Sequence, residues 1–265
     1  MTTEEMLVEI AEKEVEVYKA GKDAFYDFFW DSFQQNGNRA DYICAFGGQW
    51  KPETFKPKYQ IKPQRAYMLF YNNQSSQFRT DDFVAFADEL AREQGKTIEN
   101  NPDLFDENGH YKLIDFSECI EATYALAALW GTHFGELDFS KCTGSSALNA
   151  LFYSHTNATN GVKRIDKFKV SEATTFNVTK GTSGTFYYAT QLTDITIDGN
   201  IGKSIDFSQC TKLSRASIES VINALSSNVS GQTASFSLSA VSKAFTDAEW
   251  NALTTPITNW NISRV

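Results

Sequence analysis

"IDFSEC" at Ile114–Cys119, "LDFSKC" at Leu137–Cys142 and "IDFSQC" at Ile205–Cys210 are nearly the same six letters written three times. A catalytic centre is assembled once, from unlike groups in unlike surroundings, so a repeated hexad points to repeated structure. A longer template surrounds the first two copies. It reads apolar, two residues, apolar, one residue, apolar, two residues, then Cys, Asn or a small side chain. Tyr111, Ile114, Phe116 and Cys119 fit it, and so do Phe134, Leu137, Phe139 and Cys142. Ile165, Phe168, Val170 and Ala173 follow, then Leu192, Ile195, Ile197 and Asn200, with looser copies at Phe236–Val241 and Trp260–Val265. In an apolar-x-apolar strand the apolar residues point into the core and the residue between them points out. Asp115, Asp138 and Asp206 hold that outward place in the three hexads, which turn inward at Ile205, Phe207 and Cys210 as at the earlier copies.

The spacing between copies predicts stacked coils. From Ile114 the central apolar residue recurs after 23, 31, 27, 41 and 24 residues. Stacked repeats of one strand and one return run about 20–29 residues, so the longer intervals imply insertions. The third hexad begins only 10 residues after Ile195 and cannot open another full coil. The segment "LTDITIDGNIGKSIDFSQCTKL" at Leu192–Leu213 resembles one unit of the BspA-type leucine-rich repeat, through Leu192, Ile195, Ile197, Ile201, Phe207, Cys210 and Leu213. The resemblance covers about the last 155 residues and implies a leucine-rich-repeat solenoid, with Cys210 on the return side of its coil. "YDFFWDSFQQNGNRADYICAFGGQWKPETFKPKY" at Tyr26–Tyr59 resembles the amino-terminal region of leucine-rich-repeat proteins of gut Firmicutes and of their phages and prophages. That resemblance implies a place near surface or tail structures and no chemistry.

The expected fold class is therefore α+β: a helical and mixed amino-terminal region, then a short irregular β-solenoid-like domain with a carboxyl-terminal cap. Four parts are expected: 1–35 an amino-terminal helix, 36–108 a mixed α/β region, 109–213 the solenoid and 214–265 a last repeat and cap. In the first helix Leu7, Ile10, Val17 and Ala24 recur at heptad-like intervals. They suit either a self-associating stem or an arm folded back on its own domain. "TDDFVAFADELAREQG" at Thr80–Gly95 carries a polar start, an apolar face and a glycine stop. "SRASIESVINALSS" reads as an amphipathic helix, and Thr246 with Glu249 as a capping box.

Composition bounds the function. The 265 residues are 42% hydrophobic and 14% aromatic, with 21 Phe and 11 Tyr, so rings should do much of the packing. A net charge of −9 and the lack of any Lys/Arg cluster argue against nucleic acid. No apolar run reaches the roughly 18 residues of a membrane span. The opening residues are acidic, unlike a secretory signal. Of the four cysteines, Cys44, Cys119, Cys142 and Cys210, none pairs at C-x-x-C spacing, so buried free thiols are expected and no metal site. No cofactor motif is present.

His110, His133 and His155 stand in no metal or nucleophile motif, and catalysis is not expected. A column of Asp115, Asp138 and Asp206 could hold a cation or a sugar, though outward strand residues are simply polar by default. The remaining candidate binding residues are aromatic or imidazole: Trp130 and His133 in "LWGTHF", Tyr153 in "ALFYSH", and Tyr187 and Tyr188 in "TFYYAT". In the latter two runs Phe152 and Phe186 should point inward and leave the tyrosines freer. The expectation is a non-catalytic binding or structural protein, a virion component of a phage tail or tail-like particle that recognises a bacterial surface protein or glycan. Its first helix would make it a homo-oligomer or attach it to other tail proteins. The alternatives are a bacterial interaction protein, cytoplasmic or at the cell surface by a route without a signal peptide, and, third, a glycan-acting enzyme.

Overall fold

The computed structural model of the protein describes residues 60–63, 65–67, 70, 80–126, 129, 131–144, 148–153, 155–156, 159, 161–179, 181 and 183–265. The expected first helix with Leu7, Ile10, Val17 and Ala24 lies outside these residues, as do Cys44 and Trp130.

Nine short strands form three separate three-stranded sheets among the described residues, and every strand pair is parallel. The first sheet joins β1 (Arg65–Tyr67), β2 (Glu121–Thr123) and β4 (Leu148–Asn149). The second joins β3 (His133–Asp138), β5 (Arg164–Lys169) and β6 (Asp194–Asp198). The third joins β7 (Ile205–Phe207), β8 (Gln232–Phe236) and β9 (Trp260–Arg264).

Four α-helices accompany them in the described residues: α1 (Thr80–Glu93), α2 (Arg215–Asn223), α3 (Leu238–Ala244) and α4 (Asp247–Thr254). α1 buries Phe83, Ala87, Leu90 and Ala91 on one face. It stops at Gly95, whose φ of +66° lets the Lys96 N–H turn back to the Ala91 carbonyl at 2.9 Å. The Ser214 hydroxyl caps α2, and Thr246 with Glu249 makes a complete capping box on α4.

This mixed α/β architecture overturns the expected α+β leucine-rich-repeat solenoid. The three hexads do not stack as rungs of one sheet. "IDFSEC" forms a 3-10 turn at Phe116–Glu118, "LDFSKC" ends β3 in the second sheet, and "IDFSQC" starts β7 in the third. The physical reason is that the hexad encodes a local turn. In each copy the Asp carboxylate accepts from the Ser N–H two residues on, at 3.0, 3.0 and 2.8 Å. In each, the Cys N–H donates to the Phe carbonyl three residues back, at 2.8, 3.0 and 3.0 Å. A turn of this kind can close any strand end, so its recurrence says nothing about one shared sheet. The 10-residue misfit has the same origin, since Ile195 and Ile205 belong to different sheets. Gly199 lies between them with φ +108°, and a Cβ there would meet the Val170 carbonyl oxygen at 2.1 Å.

What ties the sheets together is a chain of rings. Phe116 meets Phe139 at 5.0 Å between centroids, Phe139 meets Phe168 at 5.6 Å, and Phe168 meets Phe186 at 5.5 Å. Phe186 stacks on Phe207 at 4.3 Å and Phe207 on Phe236 at 6.1 Å. Trp250 and then Phe245 continue the series, and the Arg215 guanidinium covers the last ring at 4.6 Å. Each such aromatic contact adds about 0.5–1.5 kcal/mol beyond the area it buries. Cys119, Cys142 and Cys210 are free thiols buried beside this spine.

Candidate functional site

Three chain segments bring four tyrosines together. β2 ends at Thr123, and Tyr124 follows with φ +51° while its N–H donates to the Asn149 carbonyl at 3.0 Å. β4 ends at Asn149, and Ala150 follows with φ +45°, donating to the Ser183 carbonyl at 2.9 Å. A turn from Ala150 then buries Leu151 and Phe152 and turns Tyr153 outward, the Tyr153 N–H reaching the Ala150 carbonyl at 3.1 Å. The third segment runs through Gly184 and Thr185 and buries Phe186, leaving Tyr187 and Tyr188 half-buried.

The rings meet edge to face. Tyr124 lies 5.2 Å from Tyr153 at 83°, Tyr153 lies 4.7 Å from Tyr188 at 70°, and Tyr188 lies 5.1 Å from Tyr187 at 86°. Beneath them Phe152 stacks on Phe186 at 5.8 Å, which fixes the two outer turns against each other. All four tyrosines are half-buried, so each shows part of its ring to solvent while packing holds its rotamer. Burial and then the neighbouring phenols Tyr153, Tyr187 and Tyr124 push the Tyr188 hydroxyl above its ordinary range. It stays protonated at neutral pH and can both donate and accept.

His155 lies below the patch, wholly buried between Phe134 and Phe152 at ring distances of 6.3 and 5.7 Å. Burial pushes it down to about 4, against a smaller opposing pull from its bond to the Leu126 carbonyl at 2.9 Å. It is therefore a neutral core residue, with Nε2 donating to Leu126 and Nδ1 without a hydrogen-bond partner.

The aspartates do not form an open column. Asp115 is only 8% exposed, caps the 3-10 turn and pairs with Lys62 at 3.1 Å. Burial raises its carboxyl, but hydrogen bonds from Ser117 and the Lys62 charge together outweigh that and hold it below the usual carboxylate range. Asp138 accepts from the Ser140 N–H and hydroxyl and faces Lys169 at 3.5 Å, and Asp206 accepts from the Ser208 N–H. In each, one carboxylate oxygen is taken by its own turn. Among the described residues no group of three or more His, Cys, Asp or Glu side chains could hold a metal ion.

His133 sits apart from the tyrosines at the start of β3. Its Nε2 meets Asp166 at 2.6 Å, and Arg164 holds the other oxygen of that carboxylate at 2.5 Å. No hydroxyl or thiol joins this pair among the described residues, so it is a hydrogen-bonded cluster on a sheet face rather than a nucleophile relay. Sequence reasoning missed Tyr124. It stands in "EATYALAALW", an apolar run with no paired ring beside it, and only the left-handed backbone swings it towards Tyr153.

No protein-family model matches the chain, and no curated protein or solved structure shows significant similarity to it. No helix among the described residues is long and apolar enough to cross a membrane.

Proposed function

We propose that this protein is a non-catalytic binding protein whose tyrosine patch holds a bacterial surface glycan. The observation that carries this reading is the strained Tyr124. A bulky side chain at φ +51° costs about 1–3 kcal/mol and persists only where the surroundings impose it, and such residues gather at binding and active sites. Here the strain completes a row of four half-buried phenols that sequence distance would keep apart. Tyrosine offers a sugar ring an apolar face and a hydroxyl at little cost in conformational freedom. The neutral amides of Asn149 and Asn177, bonded to each other at 3.2 Å, suit the same class of ligand. Membership of a phage tail or tail-like particle is part of the proposal and rests on the sequence resemblance of Tyr26–Tyr59.

The test is retention of the full chain on purified bacterial wall polysaccharides, with products followed by mass spectrometry. Binding without turnover, lost in Tyr153→Ala and Tyr188→Ala but kept in Asp206→Asn, is the expected result. Hydrolysis of any bound glycan, or binding indifferent to the tyrosines, overturns it.

A further inference from the structure

A second site lies away from the tyrosines. Among the described residues β3 has a strand neighbour on one side only, and a cleft runs along it against α1. The floor is apolar, made by Phe70, Phe83, Ala87, Leu129 and Phe134. The mouth is polar, made by Asp106, His110, Lys112, His133 and Glu136. An apolar floor with a few convergent polar groups is the usual make-up of a small-ligand site.

The polar groups are mostly acceptors. His110 Nδ1 is held by Asp88 at 2.8 Å and His133 Nε2 by Asp166 at 2.6 Å. In the neutral ring the nitrogen facing a carboxylate carries the hydrogen, so His110 Nε2 and His133 Nδ1 are left as lone pairs. Asp106 spends Oδ1 on the N–H groups of Asn108 and His110, both at 2.9 Å. Its Oδ2 faces the bare backbone of Gly135, where a Cβ would come within 3.3 Å. A glycine inside a strand is costly and marks places where something approaches the backbone closely. The Thr80 hydroxyl is buried against the bare backbone of Gly131, has no hydrogen-bond partner and takes no part in the mouth.

Charge points the same way. Asp106 and Glu136 outnumber Lys112 among the lining residues, although Lys169 partly neutralises Glu136 at 3.2 Å. The positive end of α1 is offset by Asp81 and Asp82 in its first turn.

We propose that this cleft binds a small amphipathic amine, with an aromatic or branched aliphatic body on the phenylalanine floor and its ammonium at the mouth among Asp106, Glu136 and the open histidine nitrogens. The ammonium supplies donors where the site supplies acceptors. A carboxylate ligand would bring a third negative charge against Asp106 and Glu136 and leave the acceptors unmet.

The test is calorimetric titration of the full chain with phenethylamine, 2-phenylethanol and phenylacetate, which share a body and differ in the head. Phenethylamine should bind about tenfold tighter than the alcohol, and phenylacetate should not bind. Glu136→Gln should weaken the amine about threefold and leave the alcohol unchanged. Val84→Trp, which fills the cleft from α1, should remove both, with Ala87→Leu as the second filling variant if the tryptophan unfolds the chain. Tyr153→Ala should leave amine binding intact, which separates this site from the tyrosine patch. No saturable binding of phenethylamine, equal binding of amine and acid, or binding that survives both filling variants overturns the proposal.

Discussion

Tyr124 and Ala150 follow the paired residues Thr123 and Asn149 at the ends of neighbouring strands, and both take the left-handed backbone conformation, with φ +51° and +45°. Two left-handed residues side by side turn both chains out of the first sheet in the same direction. Glycine reaches this region freely, whereas a residue with a Cβ pays roughly 1–2 kcal/mol. The stability order at position 124 should therefore invert the usual one. Tyr124→Gly should be more stable than Tyr124→Ala by about 1 kcal/mol in urea unfolding, although glycine normally loses to alanine. Both variants should lose glycan retention, because both lack the ring. Alanine equal to or better than glycine would show that Tyr124 is unstrained.

The buried His155 sets an acid limit on the fold. Its proton affinity is lowered in the folded chain, to about 4 from 6.5. Above 6.5 both folded and unfolded forms are neutral and the residue is silent. As pH falls below 6.5 the unfolded chain takes up a proton that the folded chain refuses, so stability drops until the folded form also protonates near 4. The loss across that window should be about 3 kcal/mol. Melting curves between pH 7 and pH 4 should show it, and His155→Phe, which fits between Phe134 and Phe152, should flatten the decline. An unchanged slope in that variant would place the acid sensitivity elsewhere.

Much of the packing was legible in sequence, and the architecture was not. The template picked out Phe134, Leu137, Phe139, Ile165, Phe168 and Val170, and all of them are buried. Apolar spacing reports which side faces the core whatever lies next to it. The step from repeat to solenoid failed at the hexad, because Asp-x-Ser specifies a hydrogen bond two residues long and does not say which sheet a copy joins, even where two copies touch, as Phe116 and Phe139 do. α1 and α4 were visible because caps and stops are also local. Tyr124 was invisible because backbone strain has no letter of its own.

The turn reading of the hexad separates two substitutions that a charge-based reading would treat alike. At Asp206 the useful atom is an oxygen that accepts from the Ser208 N–H at 2.8 Å. Asparagine keeps an oxygen there and removes the charge, so Asp206→Asn should be nearly neutral in stability. Asp206→Ala should cost about 1 kcal/mol, the ordinary worth of one such bond. Calcium up to the millimolar range should shift neither the wild-type melting point nor those of the variants. A calcium-dependent rise lost in Asp206→Asn would return the aspartates to a cation site.

Phe186 should be the costliest single ring to remove, because the spine and the patch meet there. It touches Phe152, Phe168, Phe176 and Phe207, and the next two residues are Tyr187 and Tyr188. Phe186→Ala leaves four rings facing a void and should destabilise by about 3–5 kcal/mol. Phe245 lies at the far end, with Trp250 on one side and Arg215 over its face, and it can relax toward solvent. Phe245→Ala should cost clearly less, at the low end of the roughly 3–5 kcal/mol range. Phe186→Leu is the informative variant. It keeps most of the volume and so most of the stability, yet it removes the stacked ring that orients the turn carrying Tyr187 and Tyr188. Its glycan retention should fall while its unfolding midpoint moves little. Retention that tracks stability across all three variants would mean that the spine supports the fold and does nothing to aim the patch.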